Sequence, residues 1–183
     1  IWSYTYQSIS RKFESVTGTS LQAGMNIMAL VSVQFHELYG ISLVIKDVDP
    51  NFTLGERARK RQEIIGRLTN EGLMDLNKQY VLPVVSQKIA IISSVTAAGY
   101  GDFINQLDQN SQEYKVHYRL FQAAMQGKDA IPQIIEAIHQ IEEALIVEKF
   151  DLLVIIRGGG AQTDLDCFDD YELAKTIANS SLP

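Results

Sequence analysis

This sequence has little cysteine, no long apolar run and no excess of positive charge. One cysteine, Cys167, in 183 residues excludes an internal disulfide framework and is typical of a reducing compartment, so we expect a cytoplasmic protein. No window approaches the roughly 18 apolar residues of a membrane-spanning helix. The first residues also lack the basic start and apolar core of a signal peptide. We therefore expect no membrane partner.

The net charge of -6 is unfavourable for a nucleic-acid partner, because contacts to phosphate need lysine and arginine. Five basic residues are nevertheless crowded into one segment: Arg57, Arg59, Lys60, Arg61 and Arg67. Such a cluster is most often a solvated helix face. Net charge alone therefore leaves a nucleic-acid partner open.

The run Leu152–Ile156 is unbroken in its apolar character and predicts a strand buried on both faces of a parallel sheet. Arg157 and three glycines, Gly158, Gly159 and Gly160, follow it, and helix-like spacing resumes over Tyr171–Ser180. A strand, a glycine loop and a helix form the usual anion site of an open α/β sheet. No lysine followed by serine or threonine closes the loop, so it is not a P-loop. A tight turn with the arginine paired to an acid remains an alternative.

Residues 1–50 have the pattern of a small β segment. Trp2, Tyr4 and Tyr6 alternate like the end of a strand, a short helix is predicted over Ser8–Val16, and Met28–His36 with Ile41–Asp47 predicts a hairpin. The three aromatics could stack on bases, although aromatics on a strand are more often core. A hairpin and one helix bury too little to stand alone. We therefore expect another segment or chain to complete this region.

Residues 51–86 are predicted to be a connecting helix and linker. Thr53 and Glu56 have the spacing of a capping box that opens the helix, Asn70 ends it, and Gly72 is its C-terminal stop. Pro83 then ends a polar connection. We place the domain boundary within this segment.

Residues 87–183 repeat strand, loop and helix. Strands are predicted at Ile89–Ile92, Tyr114–Leu120 and from Leu152, the second nearer a sheet edge, with helices starting at Asp102 and capped by Asp129. This alternation predicts the α/β class, with a parallel sheet and right-handed crossovers. The chain stops where a fourth strand is expected, so we expect a truncated domain.

The loops after the first and third of these strands carry the candidate site residues. The first offers the hydroxyls of Ser94 and Thr96 and the carboxylate of Asp102, and the second offers Arg157. If the two strands are neighbours, Asp102 could move a proton or orient a partner while Arg157 binds a phosphate. Asp102 could instead be only a favourable charge at a helix N-terminus.

The acids after the glycine loop allow a second interpretation. Asp164, Asp166, Asp169 and Asp170 could hold a divalent cation such as Mg²⁺, since hard cations prefer oxygen ligands. They could equally be ordinary acids in the first turn of a helix. The three histidines are scattered and have no metal-ligand spacing.

Several of these residues together resemble the exonuclease VII large-subunit family. Arg157 to Gly160, followed by Asp164, Leu165 and Phe168, resembles its signature loop, and Ile91–Ala98 resembles its first strand and loop. Leu73, Lys78, Leu82 and Pro83 resemble the preceding stretch, and Tyr39, Gly40 and Ile45–Asp47 resemble the closing hairpin of its N-terminal OB-fold. Ala161, Asp169, Val95 and Ala97 depart from the family pattern.

The resemblance implies a part-OB-fold at residues 1–50 and the first part of an α/β catalytic domain at residues 87–183. Asp102 falls on the family's catalytic aspartate and Arg157 on its catalytic arginine, while Ser94, Thr96, Gly158, Gly159, Gly160 and Asp164 would bind the phosphate. The implied activity is hydrolysis of single-stranded DNA from both ends to oligonucleotides, with no required cofactor or metal. The remaining catalytic residues, a histidine and an aspartate, and the region that recruits a small subunit would lie beyond Pro183.

Two other classes of function stay open at this point. The chain could be a module that binds a nucleotide or single-stranded DNA without cutting it. It could also be a metal-dependent phosphohydrolase that uses Asp164 and Asp166. On the nuclease interpretation, we expect the 183-residue piece to be inactive alone.

Overall fold

The computed structural model describes residues 3–109, 114–158 and 168–183. In chain order, its helices and strands are α1 (Ser3–Thr17), β1 (Met28–His36), β2 (Gly40–Asp49), α2 (Pro50–Asn70), β3 (Lys88–Ser93), α3 (Ala98–Asp108), β4 (His117–Gln122), α4 (Ala130–Ala144), β5 (Leu152–Ile155) and α5 (Tyr171–Ala178), with a 3-10 turn at Leu76–Gln79. The described chain forms two compact units, which change over between Glu63 and Ile64, inside α2. The division into residues 1–50, 51–86 and 87–183 stays a prediction.

The first unit is built on the predicted hairpin. Strands β1 and β2 pair antiparallel from Met28 opposite Asp49 to His36 opposite Gly40, with an irregularity between Leu30 and Val31. Helix α1 covers β2 through a small core of Ile9, Phe13 and Val48. Such an antiparallel pair fits part of an OB-fold.

The N-terminal strand prediction is wrong for Tyr4 and Tyr6, because both lie in helix α1. Ile9 and Phe13 are one helical turn apart and are both buried. Burial of this apolar stripe favours a helix over a strand here. Tyr4 is 85% exposed and therefore not part of a core. Trp2 lies outside the described residues.

The start of α2 differs from the capping-box prediction. The helix begins at Pro50, a residue suited to the first helical position, and the carboxylate of Asp49 accepts the Asn51 N–H at 3.0 Å. Thr53 is therefore inside the helix, where its hydroxyl donates to the carbonyl oxygen of Asn26 at 3.2 Å. The predicted end at Asn70 is confirmed, and Gly72 follows with a φ of 71°.

The second unit contains a three-stranded parallel sheet in the order β4-β3-β5. The chain steps from β3 to β4 on one side and then returns to place β5 on the other side. Helix α4 packs on the sheet through Ile134, Ile138 and Ile141, which are fully buried. The fold is α/β with alternating strands and helices, as the sequence predicts.

Burial along the strands refines the prediction. The strand buried on both faces is β3, since it lies between the other two, whereas β5 is only half-buried. On its other side β5 is bonded, among the residues that the structure describes, through the Leu153 N–H, which donates to the Pro183 carbonyl oxygen at 3.0 Å. Strand β4 begins at His117, three residues later than predicted, and lies at an edge of the described sheet, as predicted.

The amino ends of β3 and β5 are joined by one carboxylate. Oδ2 of Asp151 accepts the N–H groups of Gln87 at 2.7 Å and Lys88 at 2.8 Å, and the Asp151 N–H donates to the Lys88 carbonyl oxygen. These bonds hold the register of the two strands where they start. Within the described ranges, no helix has the length and hydropathy that crossing a membrane requires.

Candidate active site

A cleft of about 470 Å³ lies at the carboxyl ends of the three parallel strands. Each of the three following loops contributes to its wall, through Ser94, Thr96, Ala97 and Ala98 after β3, Ala124, Met125 and Gln126 after β4, and Arg157 and Gly158 after β5. In open α/β sheets, ligands bind where the strand order reverses, which here is between β3 and β5. The predicted meeting of the Ser94 loop and the Arg157 loop is therefore present in the fold.

Two hydroxyl groups lie together in the cleft. Oγ of Ser94 and Oγ1 of Thr96 are 3.0 Å apart, and the Thr96 N–H donates to Ser94 Oγ at 3.4 Å. The Ser94 carbonyl oxygen accepts the Ala97 N–H at 3.0 Å, which closes the turn into α3. A hydroxyl can donate as well as accept, so this pair offers hydrogen-bond donors to a ligand in the cleft.

Helix α3 starts four residues earlier than predicted, at Ala98. The Tyr100 N–H donates to the carbonyl oxygen of the N-cap residue Ala97 at 3.0 Å, whereas the N–H groups of Ala98 and Gly99 come too early to have a partner within the helix. This end also carries the positive pole of the helix dipole. Gly99 packs on the loop after β5 so closely that a Cβ there would lie 2.7 Å from the Arg157 carbonyl oxygen. Glycine, which predicts a loop from sequence, is needed here for close packing inside a helix.

Because α3 starts at Ala98, the interpretation of Asp102 as a charge in the first turn of a helix is wrong. Asp102 lies in the second turn, is exposed, and is not among the residues that line the cleft. It lies one turn beyond Ala98 on the same helix face, since residues four apart are stacked along an α-helix. That Asp102 acts together with Arg157 on one phosphate stays a prediction.

Arg157 lies between a residue that is hydrogen-bonded to β3 and one that packs near the start of α3. The preceding residue, Ile156, donates its N–H to the Ile92 carbonyl oxygen at 2.9 Å and accepts the hydroxyl of Ser93 at 2.7 Å. The following residue, Gly158, has the Cβ of Ala97 within contact range of its own Cβ position. The structure therefore places Arg157 and Gly158 in the cleft beside the start of α3.

Three predicted site residues, Gly159, Gly160 and Asp164, lie outside the described residues, as does Asp166. Asp170 is the N-cap of α5 and accepts the Leu173 N–H at 3.0 Å, so it precedes the first turn of that helix. Within residues 3–109, 114–158 and 168–183, no group of three or more His, Cys, Asp or Glu side chains is arranged as a metal site.

The wall contributed by Ala124, Met125 and Gln126 is absent from the sequence-based prediction. Their position in the chain could have identified them, because they lie within four residues of the end of β4 and the carboxyl ends of all parallel strands meet at one edge of the sheet. Gln126 adds an amide that can donate or accept.

A group of polar contacts lies at the start of α5. The hydroxyl of Tyr171 donates to Glu71 at 2.5 Å, and the guanidinium of Arg67 lies 3.4 Å from the centre of the tyrosine ring. The hydrogen bond from Tyr171, with weaker help from Arg67 and Lys175, lowers the pKa of Glu71 below its usual value. The same bond raises the pKa of Tyr171. These contacts join the end of α2 to the start of α5.

Comparison with known proteins decides the family. The family model described as "Exonuclease VII, large subunit" matches residues 73–183, which include every described residue of the cleft. The chain belongs to the exonuclease VII large-subunit family. The resemblance carried by the glycine loop and by the first strand is thereby confirmed.

Curated relatives extend the similarity over the rest of the chain. The exodeoxyribonuclease 7 large subunit of Deinococcus radiodurans is 32% identical over 184 aligned positions, which cover all of this chain and 44% of the relative. The proteins of the same name from Nostoc sp. and Haemophilus influenzae are each 33% identical, over 71% and 88% of this chain and 30% and 36% of their own lengths. The chain thus spans less than half of these exonuclease VII large subunits.

Proposed function

We propose that this chain is part of a large subunit that hydrolyses phosphodiester bonds of single-stranded DNA from both ends, giving oligonucleotides. The observation that carries the proposal is the cleft in which Arg157, the Ser94 and Thr96 hydroxyls and the start of α3 all face one space. These groups are cationic or hydrogen-bond donors. They are concentrated where the sheet favours an anionic ligand.

In the proposed reaction, Arg157 and the donors at the start of α3 bind the non-bridging oxygens of the scissile phosphate. Preorganised donors of this kind stabilise the charge that grows in the transition state. Arginine suits the role because its planar fork can bind two phosphate oxygens at once. The protein groups thus supply the positive charge, and the proposal needs no divalent metal.

Asp102 is proposed to orient or activate the attacking water, together with a histidine and an aspartate that the resemblance places beyond Pro183. The distance of one helical turn between Ala98 and Asp102 means that substrate has to extend along α3 to reach this carboxylate. Gly159, Gly160 and Asp164 are proposed to complete the phosphate site.

The other parts of the proposal concern partners and location. The hairpin unit would present a groove in which bases stack and phosphates meet basic side chains, as in OB-folds. A small subunit would dock on a region beyond this chain. We further propose a cytoplasmic location.

The first experiment compares two arginines in the full-length large subunit that carries this sequence, assembled with its small subunit. Arg157→Ala should lower cleavage of a single-stranded oligonucleotide by roughly 100-fold or more, as loss of a transition-state donor does. Arg119→Ala is the matched control, since Arg119 lies on β4 beside Glu148 and Phe121 and does not line the cleft. Full activity of the Arg157 variant would overturn the proposed site.

The second experiment separates cleavage from binding and from metal chemistry. Asp102→Asn should abolish turnover while single-stranded DNA still binds, whereas a pure binding module would show no cleavage to lose. Assays with excess chelator should retain activity; loss of activity there would favour the metal-dependent alternative with Asp164 and Asp166. Turnover by the 183-residue piece alone would refute the need for residues beyond Pro183.

A further inference from the structure

Ser93 joins the carboxyl ends of the three parallel strands. It is fully buried, with none of its surface exposed, although its side chain is polar. Its carbonyl oxygen accepts the Ala123 N–H at 2.9 Å, next to β4, and its hydroxyl donates to the Ile156 carbonyl oxygen at 2.7 Å, next to β5. A buried hydroxyl keeps its place only because its hydrogen bond is satisfied.

The bond from Ser93 continues the pairing of β3 and β5 by one step. The last backbone bond between these strands runs from the Ile156 N–H to the Ile92 carbonyl oxygen at 2.9 Å. After it, the chain leaves β3 for the turn at Ser94, and the hydroxyl of Ser93 takes the place of the next backbone donor. Both polar backbone groups of Ile156 are therefore fixed to β3, directly before Arg157 enters the cleft.

The opposite side of Arg157 is confined as well. The start of α3 lies against its carbonyl oxygen, at the close approach that Gly99 allows. The backbone of Arg157 is thus bounded by Ser93 through Ile156 and by α3 at Gly99. A long, rotamer-rich side chain binds best when its point of attachment is fixed, because less freedom is lost on binding.

We propose that Ser93 is a positioning residue, whose buried hydroxyl fixes the strand end from which Arg157 binds a phosphate of single-stranded DNA. This inference rests on the proposed function, because it needs Arg157 to contact phosphate. Ser93 itself does not touch the substrate. Removal of its hydroxyl leaves the Ile156 carbonyl oxygen without its partner and lets the start of the Arg157 loop shift.

The test is a double-mutant cycle in the full-length large subunit with its small subunit. Binding of a fluorescent phosphorothioate oligodeoxynucleotide is measured by anisotropy over a range of salt concentrations for wild type, Ser93→Ala, Arg157→Ala and the double variant. Ser180→Ala is the matched control, since Ser180 is also buried and its Oγ accepts the Leu182 N–H at 3.2 Å, away from the cleft.

We expect Ser93→Ala to weaken binding about tenfold in the wild-type background and hardly at all in the Arg157→Ala background, as coupled residues do. The slope of log affinity against log salt should become shallower by about 0.7, because the protein then neutralises one phosphate fewer on the single strand. Ser180→Ala should leave both quantities unchanged, even if it lowers thermal stability.

Each other result has a separate meaning. An equal loss of affinity from Ser93→Ala in both backgrounds, or an unchanged salt slope, would overturn the positioning role while the proposed function stands. Unchanged binding and cleavage in Arg157→Ala would instead overturn the proposed function. A salt slope that changes equally with Ser180→Ala would assign the effect to weakened packing in general, against the inference.

Discussion

Replacing Gly99 by alanine tests whether α3 is packed against the Arg157 loop as closely as the structure has it. The new methyl group would lie 2.7 Å from the Arg157 carbonyl oxygen, well inside the 3.4 Å at which ordinary contact begins. The obstacle is backbone rather than the end of a flexible side chain, so either the helix or the loop has to move. Overpacking of this kind costs about 1–3 kcal/mol.

Gly101 is the matched control for this change. It lies two residues along the same helix, and a Cβ there would meet nothing within 4 Å. Alanine should stabilise α3 at this position by up to about 1 kcal/mol, because glycine is a poor helix former. The same gain is available at position 99, where the collision outweighs it.

We therefore expect Gly99→Ala to be less stable than Gly101→Ala by roughly 1–3 kcal/mol, the overpacking cost alone, because the helix gain is common to both variants and cancels. For a chain of this size, that difference corresponds to roughly 2–12 °C in Tm. Thermal unfolding followed by circular dichroism measures it. Equal melting temperatures, or a more stable Gly99 variant, would refute the close approach of α3 to the Arg157 loop.

Two further changes test the core and the contacts at the start of α5. Ile138→Ala should cost about 2–5 kcal/mol, because the side chain is fully buried, whereas Ile146→Ala, at an exposed site, should change stability by less than about 0.5 kcal/mol; denaturant unfolding compares them. Tyr171→Phe should destabilise the chain at neutral pH and reduce the loss of stability on acidification. Because the pKa of Glu71 is lowered on folding, its contribution to stability is present above the unfolded value of 4.5 and is lost as pH falls through the folded value. Because the pKa of Tyr171 is raised on folding, its contribution is lost as pH rises past 10. Unfolding curves between pH 3 and 11 that are identical for Tyr171→Phe and wild type would contradict this pairing.

The sheet is predictable from sequence because its strands are short apolar runs bounded by turn residues. Ile89–Ile92 and the run from Leu152 are recognisable without any tertiary information, and so is the amphipathic helix after Asp129. What the runs do not reveal is which strand is central. The run from Leu152 is the more continuous, yet β3 is the buried one, because strand order depends on how the crossovers return.

The local errors arise where one residue type has two structural uses. Glycine at position 99 predicts a loop from sequence, but Gly99 lies in a helix and makes a close contact there. The predicted start of α3 is therefore too late. Thr53 and Glu56 have capping-box spacing, yet Pro50 starts the helix earlier. In each case a tertiary contact or a neighbouring residue decides between two locally acceptable structures.

The candidate site was predictable in part. The pairing of the Ser94 loop with the Arg157 loop follows from the rule that ligands bind at the carboxyl ends of parallel strands. The position of Asp102 relative to the cleft does not follow, because it depends on the exact turn at which α3 begins. The contribution of Gln126 was missed because the loop after β4 has no distinctive motif.

Because the strands are parallel, every described cleft-lining loop lies at one end of the sheet. The opposite end holds hydrogen bonds such as those of the Asp151 carboxylate. Val147, highly exposed in the turn before β5, lies at this opposite end. A reporter group attached there would sense melting of the sheet while remaining about a full strand length away from the cleft. A label at Val147 and the candidate site would thus lie at opposite ends of one sheet.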